Sequence, residues 1–144
     1  MTRDTLAGSV GPLDAQDPVR TALRRVLDEA FAVNGALFTT ADGILLAAEF
    51  GDLAPGPSRA HPESVAALAA ATYGVAGRFA HLIPMGEATA TIIQGTRGCV
   101  AVQPLSAAGV LVLYGAEGST AGRLHLAARE ATAVMERALR GEAL

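Results

Sequence analysis

The stretch GALFTTADGILLA, residues 35–47, predicts a β-hairpin. Two apolar runs, residues 36–40 and 44–48, flank a tight turn at Asp42 and Gly43. Glycine accepts the positive φ that such a turn requires, and Asp-Gly between two apolar runs is a strong short-range signal for paired strands. The chain is therefore expected to contain a sheet, and Asp42 is explained by its turn rather than by catalysis.

An amphipathic helix is predicted before the hairpin. Asp17 can cap its first turn and Pro18 suits its first position, while Asn34 and Gly35 should end it. Residues 1–16 are polar with several Gly and Pro and are expected to form a flexible tail, which leaves residues 17–144 as one domain. Apolar residues recur on one face of this helix at helical spacing. The opposite face is predicted to be solvated by its charged residues: Arg20, Arg24, Arg25, Asp28 and Glu29.

A second helix is predicted over residues 62–82, and it has no charged face. Only Glu63 and Arg78 carry a formal charge in it, whereas a helix on the surface of a soluble monomer needs one solvated face. Its larger side chains are expected to pack on the chain's own sheet: Val65, Leu68, Thr72, Val75 and Phe79. The opposite face consists of small residues: Ala67, Ala70, Gly74 and Gly77. Because a glycine in mid-helix costs about 1 kcal/mol relative to alanine, this face predicts contact with a partner protein, with cover by the chain's own loop 51–61 as the alternative.

The second half of the chain changes to a period of two, which predicts strands. Residues 87–94 should form an edge strand that is half-buried and open to pairing with another chain. One of its faces carries Thr89, Thr91 and Ile93. Further strands are predicted at residues 99–103 and 110–114, and the last is apolar on both faces, which indicates a central position in the sheet.

A final helix completes the predicted order. Ser119 should cap it, and its apolar stripe is Leu124, Ala128, Ala131, Met135 and Ala138. The elements then follow one another as α-β-β-α-β-β-β-α. This order predicts an α/β (α+β) fold with a single five-stranded, mainly antiparallel sheet and helices on both faces.

Composition excludes several classes of function. All 11 basic residues are arginine, which removes Schiff-base lysines and the phosphate-binding lysine of a P-loop. The net charge of −3 provides no general attraction to nucleic acid or anionic lipid. No run approaches the roughly 18 apolar residues that a membrane span needs, and one cysteine allows no intrachain disulfide. We expect a cytoplasmic protein that neither binds nucleic acid nor spans a membrane.

Candidate catalytic and metal-binding residues are sparse. His61, His81 and His125 are the only histidines, and no two of them have metal-ligand spacing. Cys99 begins a predicted strand, which favours a small buried side chain over a reactive thiol. The turn at residues 95–98 is too short for a P-loop, and no Gly-x-Ser-x-Gly elbow is present. We expect no catalytic residue, no cofactor and no bound metal.

The whole ordered set, headed by residues 35–47, resembles the Roadblock family (dynein light-chain Roadblock type). The resemblance covers about residues 18–140 and includes the Gly-Ala start of the hairpin, its Asp-Gly turn, the Ala-rich second helix and the Thr-rich third strand. It implies homodimers joined through the third strand and the second helix. It also implies a non-enzymatic role as partner and regulator of small Ras-like GTPases, with no donated arginine finger. The implied dimer and partner surface on this chain is Ala67, Ala70, Gly74, Gly77 and strand 87–94.

Two other classes of function stay open. A small-molecule sensor domain of PAS or GAF type would need a roomy pocket with aromatic walls and a few converging polar groups, whereas aromatic residues make up only 4% of this chain. An unrecognised enzyme is disfavoured by the sparse set of catalytic residue types.

Overall fold

The residues that the structure describes fold around one antiparallel sheet of six strands. The computed structural model describes residues 8–30, 32–51, 54, 56–106 and 109–142. The elements are β1 (Ser9–Val10), α1 (Pro18–Glu29), β2 (Val33–Thr40), β3 (Leu45–Phe50), a 3-10 turn (Gly56–Arg59), α2 (Pro62–Leu82), β4 (Thr91–Gln94), β5 (Cys99–Leu105), β6 (Gly109–Gly115) and α3 (Ala121–Leu139). The strands lie in the order β1-β3-β2-β6-β5-β4. The predicted class is confirmed, but the sheet has six strands rather than five because β1 was not anticipated.

Helices cover both faces of the sheet, as predicted. Successive side chains of β6 point to opposite faces of the sheet. Leu111 and Leu113 pack with α1 and α3 on one face, and Val110 and Val112 pack with α2 on the other. Because β6 is buried on both faces and lies between β2 and β5, its predicted central position is confirmed. The predicted stripe of α3 is also confirmed, since all of its residues are buried: Leu124, Ala128, Ala131, Met135 and Ala138.

The predicted hairpin is β2-β3. Gly43 has a φ of +95°, and the Thr40 amide donates to the Ile44 carbonyl across the turn at 3.0 Å. The Thr40 hydroxyl also hydrogen-bonds the Asp42 carboxylate. Asp42 therefore shapes the turn, as its sequence context indicated.

The end of α1 was predicted wrongly. The helix ends at Glu29, and Asn34 and Gly35 belong to β2. A Cβ at Gly35 would lie 2.9 Å from the ring of Phe50 and 3.2 Å from Cγ of Tyr114. Glycine is needed at this position because two aromatic rings close over the strand, not because a helix ends there.

The predicted solvated position of Arg20 is also wrong, since this residue is only 2% exposed. Its guanidinium donates to the carbonyl oxygens of Val10, Gly11 and Leu13 and to the carboxylate of Glu49. These bonds hold the segment that contains β1 against β3, so residues 8–13 do not form the expected tail. Residues 1–7 of that tail lie outside the described residues.

The orientation predicted for α2 is wrong as well. Leu68, Val75 and Phe79 were expected to pack on the sheet but are 67%, 56% and 58% exposed. The buried residues of α2 are Ala66 and Ala69. Small side chains let this helix lie close to the sheet, and its larger side chains therefore point away from it.

Two smaller boundaries differ from the sequence prediction. The edge strand is β4, Thr91–Gln94, so Thr89 lies before the strand rather than in it. The edge position itself is confirmed. The cap of α3 is Thr120, whose extended backbone lets its hydroxyl accept from the Arg123 amide, rather than Ser119. None of the described helices is long and apolar enough to cross a membrane.

Candidate interaction surface on the second helix and the sheet edge

Exposed apolar side chains form a regular line along α2. Counted from Val65, they follow at alternating steps of three and four residues, which is the spacing of a coiled-coil seam. We call this line the α2 seam: Leu68, Thr72, Val75, Phe79 and Leu82. Thr72 is half-buried and the other members are exposed. An isolated soluble helix does not usually present such a line to water, so the α2 seam has the character of a helix-pairing surface.

The apolar surface continues beyond the helix. Ile83 and Met85 are exposed just after α2, and Ile93 is 51% exposed on β4. Thr91 pairs with Val102 and Ile93 with Val100. Val102 packs beneath α2, so the side chains of Thr91 and Ile93 lie on the α2 side of the sheet. The α2 seam and the edge strand therefore form neighbouring parts of one surface.

The small face predicted from sequence (Ala67, Ala70, Gly74 and Gly77) divides between two places. A Cβ at Gly43 would lie 3.3 Å from Cα of Ala67 and 3.5 Å from Cβ of Ala70, so this end borders the β2-β3 turn. Gly74 and Gly77 instead line a groove of about 850 Å³ that also includes Thr89. A Cβ added at either glycine meets nothing within 4 Å. Packing within the chain therefore does not require glycine at these two positions.

The part of the chain that the structure describes includes Cys99 and all three histidines. No group of three His, Cys, Asp or Glu residues lies close enough together there to hold an ion. The Cys99 thiol is buried, with its Sγ 3.6 Å from the Ser119 hydroxyl. His61 occupies the N-cap of α2 with a φ of 57°, and its side chain makes no capping hydrogen bond.

Several residues that shape the structure were not singled out by sequence reasoning. Glu49 is buried with Arg20, and Asn34 and Tyr114 have buried polar atoms. The carboxylate of Glu49 inside the apolar run of β3 could have indicated a buried ion pair, because such a group is rarely buried without a partner. Asn34 and Tyr114 carried no comparable signal.

Solved structures with the same architecture identify the fold, although no family model and no curated protein matches the chain. The gliding protein MglB from Thermus thermophilus superposes with a TM-score of 0.76 at 23% identity, covering 94% of this chain and 99% of that one. MglB from Myxococcus xanthus gives 0.72 at 17% identity, covering 89% and 99%. A Roadblock/LC7 domain from Streptomyces avermitilis gives 0.67 at 12% identity, covering 83% and 96%.

The chain has a Roadblock-family fold. The resemblance noted in the sequence is thereby confirmed for the fold. A further MglB structure, described as having a tetrameric arrangement, shares this Roadblock fold with a TM-score of 0.76 at 22% identity, covering 94% of this chain and 98% of that one.

Proposed function

We propose that this chain is a non-catalytic homodimeric regulator or scaffold that binds a small Ras-like GTPase and modulates its nucleotide cycle or its localisation. The observation that carries the proposal is the α2 seam, an exposed apolar line on a helix that needs a partner. Support also comes from the Roadblock fold and from the sparse set of catalytic residue types in the sequence.

The second copy is the partner proposed for the α2 seam. Alternating steps of three and four residues suit a seam that packs against an identical helix. The edge strand β4 lies beside the seam with Ile93 exposed on the same side, so one two-fold axis can pair both elements with their copies. This arrangement would continue the sheet across the dimer through β4 and cover its exposed edge.

The GTPase is the partner proposed for the groove at Gly74, Gly77 and Thr89. Because no side chain projects from the two glycines, the backbone of another protein can approach α2 closely there. The groove is separate from the α2 seam, so a dimer can form and still offer it. In this proposal the two faces of α2 bind different partners, whereas the sequence predicts the small face as the dimer and partner contact.

The test is the binding of a small Ras-like GTPase from the same organism. The GTPase is loaded with GDP or with a non-hydrolysable GTP analogue, and its affinity for the chain and its rate of phosphate release are measured. We expect affinity to depend on the nucleotide. If the GTPase binds in neither nucleotide state, it is rejected as a partner, and the proposed dimer is unaffected by that result.

A matched pair of variants tests the groove. Gly74 and Gly122 are both exposed helical positions at which an added Cβ meets nothing within 4 Å. Gly74→Glu should weaken GTPase binding at least about tenfold, the equivalent of 1.4 kcal/mol, while Gly122→Glu on α3 should leave it unchanged. Dissociation of the dimer by Gly74→Glu alone would instead show that the small face is the dimer contact.

A further inference from the structure

A cavity of about 630 Å³ lies between α2 and the sheet, and its lining includes Leu68 and Thr72 of the α2 seam and Ile93 of β4. Its walls are mostly apolar and come from both layers: Val65 and Ala69 on α2, and Val100, Val102 and Val112 on the sheet. This volume falls in the range of sites that hold small molecules. We call it the α2 cavity.

Two polar side-chain atoms in the lining residues of the α2 cavity lack partners. Oδ1 of Asn34 and the hydroxyl of Tyr114 are both shielded from solvent, and neither has a hydrogen-bond partner within the described residues. Most buried polar groups in folded proteins are hydrogen-bonded. The lining residues of this cavity therefore carry two polar groups without a protein partner.

The backbone places these two residues by specific local features. Val33 pairs with Gly115 and Gly35 with Tyr114, so Asn34 is the extra residue of a β-bulge. Such bulges redirect a side chain out of the regular alternation of a strand. The Tyr114 ring lies edge-on to Phe50 with centroids 5.5 Å apart.

The electrostatics of the α2 cavity disfavour a charged occupant. Arg97 and Glu117 are the charged residues of its lining, and their charges are opposite. The Tyr114 hydroxyl is neutral at neutral pH, and burial raises its pKa further, from 10.0 to about 12. A charged ligand group placed against Asn34 and Tyr114 would lose its water without gaining an opposite charge.

We propose that the α2 cavity binds a small, uncharged, largely apolar molecule with a hydrogen-bonding head group such as a hydroxyl, ketone or amide. Asn34 and Tyr114 bind the head group, and the valines of the sheet pack on the apolar part. Both polar atoms are shielded, so binding requires a small movement of their side chains or of α2. Only two α2 side chains are buried, Ala66 and Ala69, and Val65 is partly buried against the same cluster, so few contacts oppose such a movement.

The probe for this proposal is 2-naphthol, titrated against the full-length native assembly and followed by naphthol fluorescence. The chain contains no tryptophan, so protein emission does not obscure the signal. We expect saturable binding with one naphthol per chain. Naphthalene should bind about tenfold more weakly because it leaves the polar groups unpaired. The anion 2-naphthoate should also bind more weakly than 2-naphthol.

Tyrosine variants locate the site. Tyr114→Phe should remove most of the preference for naphthol over naphthalene, whereas Tyr73→Phe, at the only other tyrosine, should keep it. Asn34→Ala gives a second, independent variant if Tyr114→Phe fails to fold by circular dichroism. Equal affinities for naphthol and naphthalene, or a preference that survives both cavity variants, would overturn the proposal.

Other occupants of the α2 cavity are distinguished by the same titration. Leu68 and Thr72 belong both to the α2 seam and to the cavity lining, so side chains of a second copy could fill the space. In that case a monomeric variant binds naphthol while the native assembly does not. If ordered water completes Asn34 and Tyr114 instead, neither form shows saturable binding. Either result would reject the ligand site.

Discussion

Arg20 on α1 and Glu49 on β3 form a buried ion pair, with Nη1 of the guanidinium 2.5 Å from Oε2 of the carboxylate. The same arginine donates to the carbonyl oxygens of Val10 and Gly11 at 3.1 Å each. One side chain thus joins the first helix, an inner strand and the N-terminal segment. The pair lies on the face of the sheet away from α2, so it stabilises the fold without taking part in the proposed interfaces.

Replacing Arg20 should destabilise the protein strongly. Arg20→Met keeps the length of the side chain but leaves the Glu49 carboxylate buried without its main partner, so the free energy of unfolding should fall by about 3–5 kcal/mol. The control is Arg25→Met, which breaks the exposed pair with Glu29 and should cost at most about 1 kcal/mol. Denaturant unfolding at one fixed protein concentration measures both. Similar small losses for the two variants would contradict the structural role of Arg20.

The α2 seam should control dimerisation without affecting the fold of the chain. Val75→Glu places a charge in the middle of the proposed helix pair and should raise the dimer dissociation constant about a hundredfold or more, the equivalent of 2.7 kcal/mol. The matched control is Leu126→Glu on α3, because Val75 and Leu126 are 56% and 57% exposed on opposite faces of the sheet. Sedimentation measures the dissociation constant, and far-UV circular dichroism checks the fold. Unfolding of Val75→Glu would show that the position is internal.

The edge strand should contribute to the same interface. Ile93→Asp introduces a charge beside the unpaired edge of β4. It should raise the dimer dissociation constant because the charge would lie within the contact between the two copies. Ile44→Asp is its control, since Ile44 is 58% exposed at the β2-β3 turn, away from α2's C-terminal half. The ratio of the two dissociation constants is the informative quantity. A ratio near one would exclude β4 from the dimer contact.

Stability at high pH should depend on Tyr114. Burial raises its pKa from 10.0 to about 12, so above pH 10 the unfolded chain releases a proton that the folded chain retains. The contribution of this group to stability is complete below pH 10.0 and is lost as the pH rises to about 12. The free energy of unfolding should therefore fall less steeply in Tyr114→Phe than in the unaltered chain over this range. Identical slopes would show that Tyr114 is not buried as described.

Much of the fold could be predicted because its signals are local. Asp42 and Gly43 specify their turn within a few residues, and Leu124 and Met135 follow the period of one helix. Arg20 was misplaced because its burial depends on Glu49, which is 29 residues away. A charged side chain on a helix has the same sequence pattern whether it faces water or a distant carboxylate.

The exposed face of α2 was predicted wrongly, and the reason lies in the residue pattern of the helix. The sequence pattern identified a helix with two uncharged faces, but periodicity alone does not say which face lies on the sheet. Ala66 and Ala69 took that place because small residues allow close packing, which left Val75 and Phe79 outside. The bulge at Asn34 has no sequence signature of its own, so the α2 cavity was not foreseen.

Light scattering coupled to size exclusion tests the central claim most directly, because that claim makes the exposed α2 seam a contact between two copies. One chain has a mass of 14.6 kDa, so two chains give 2 × 14.6 = 29.2 kDa. We predict 29.2 kDa at micromolar concentration for the unaltered protein. A mass of 14.6 kDa that persists at high concentration would contradict the account.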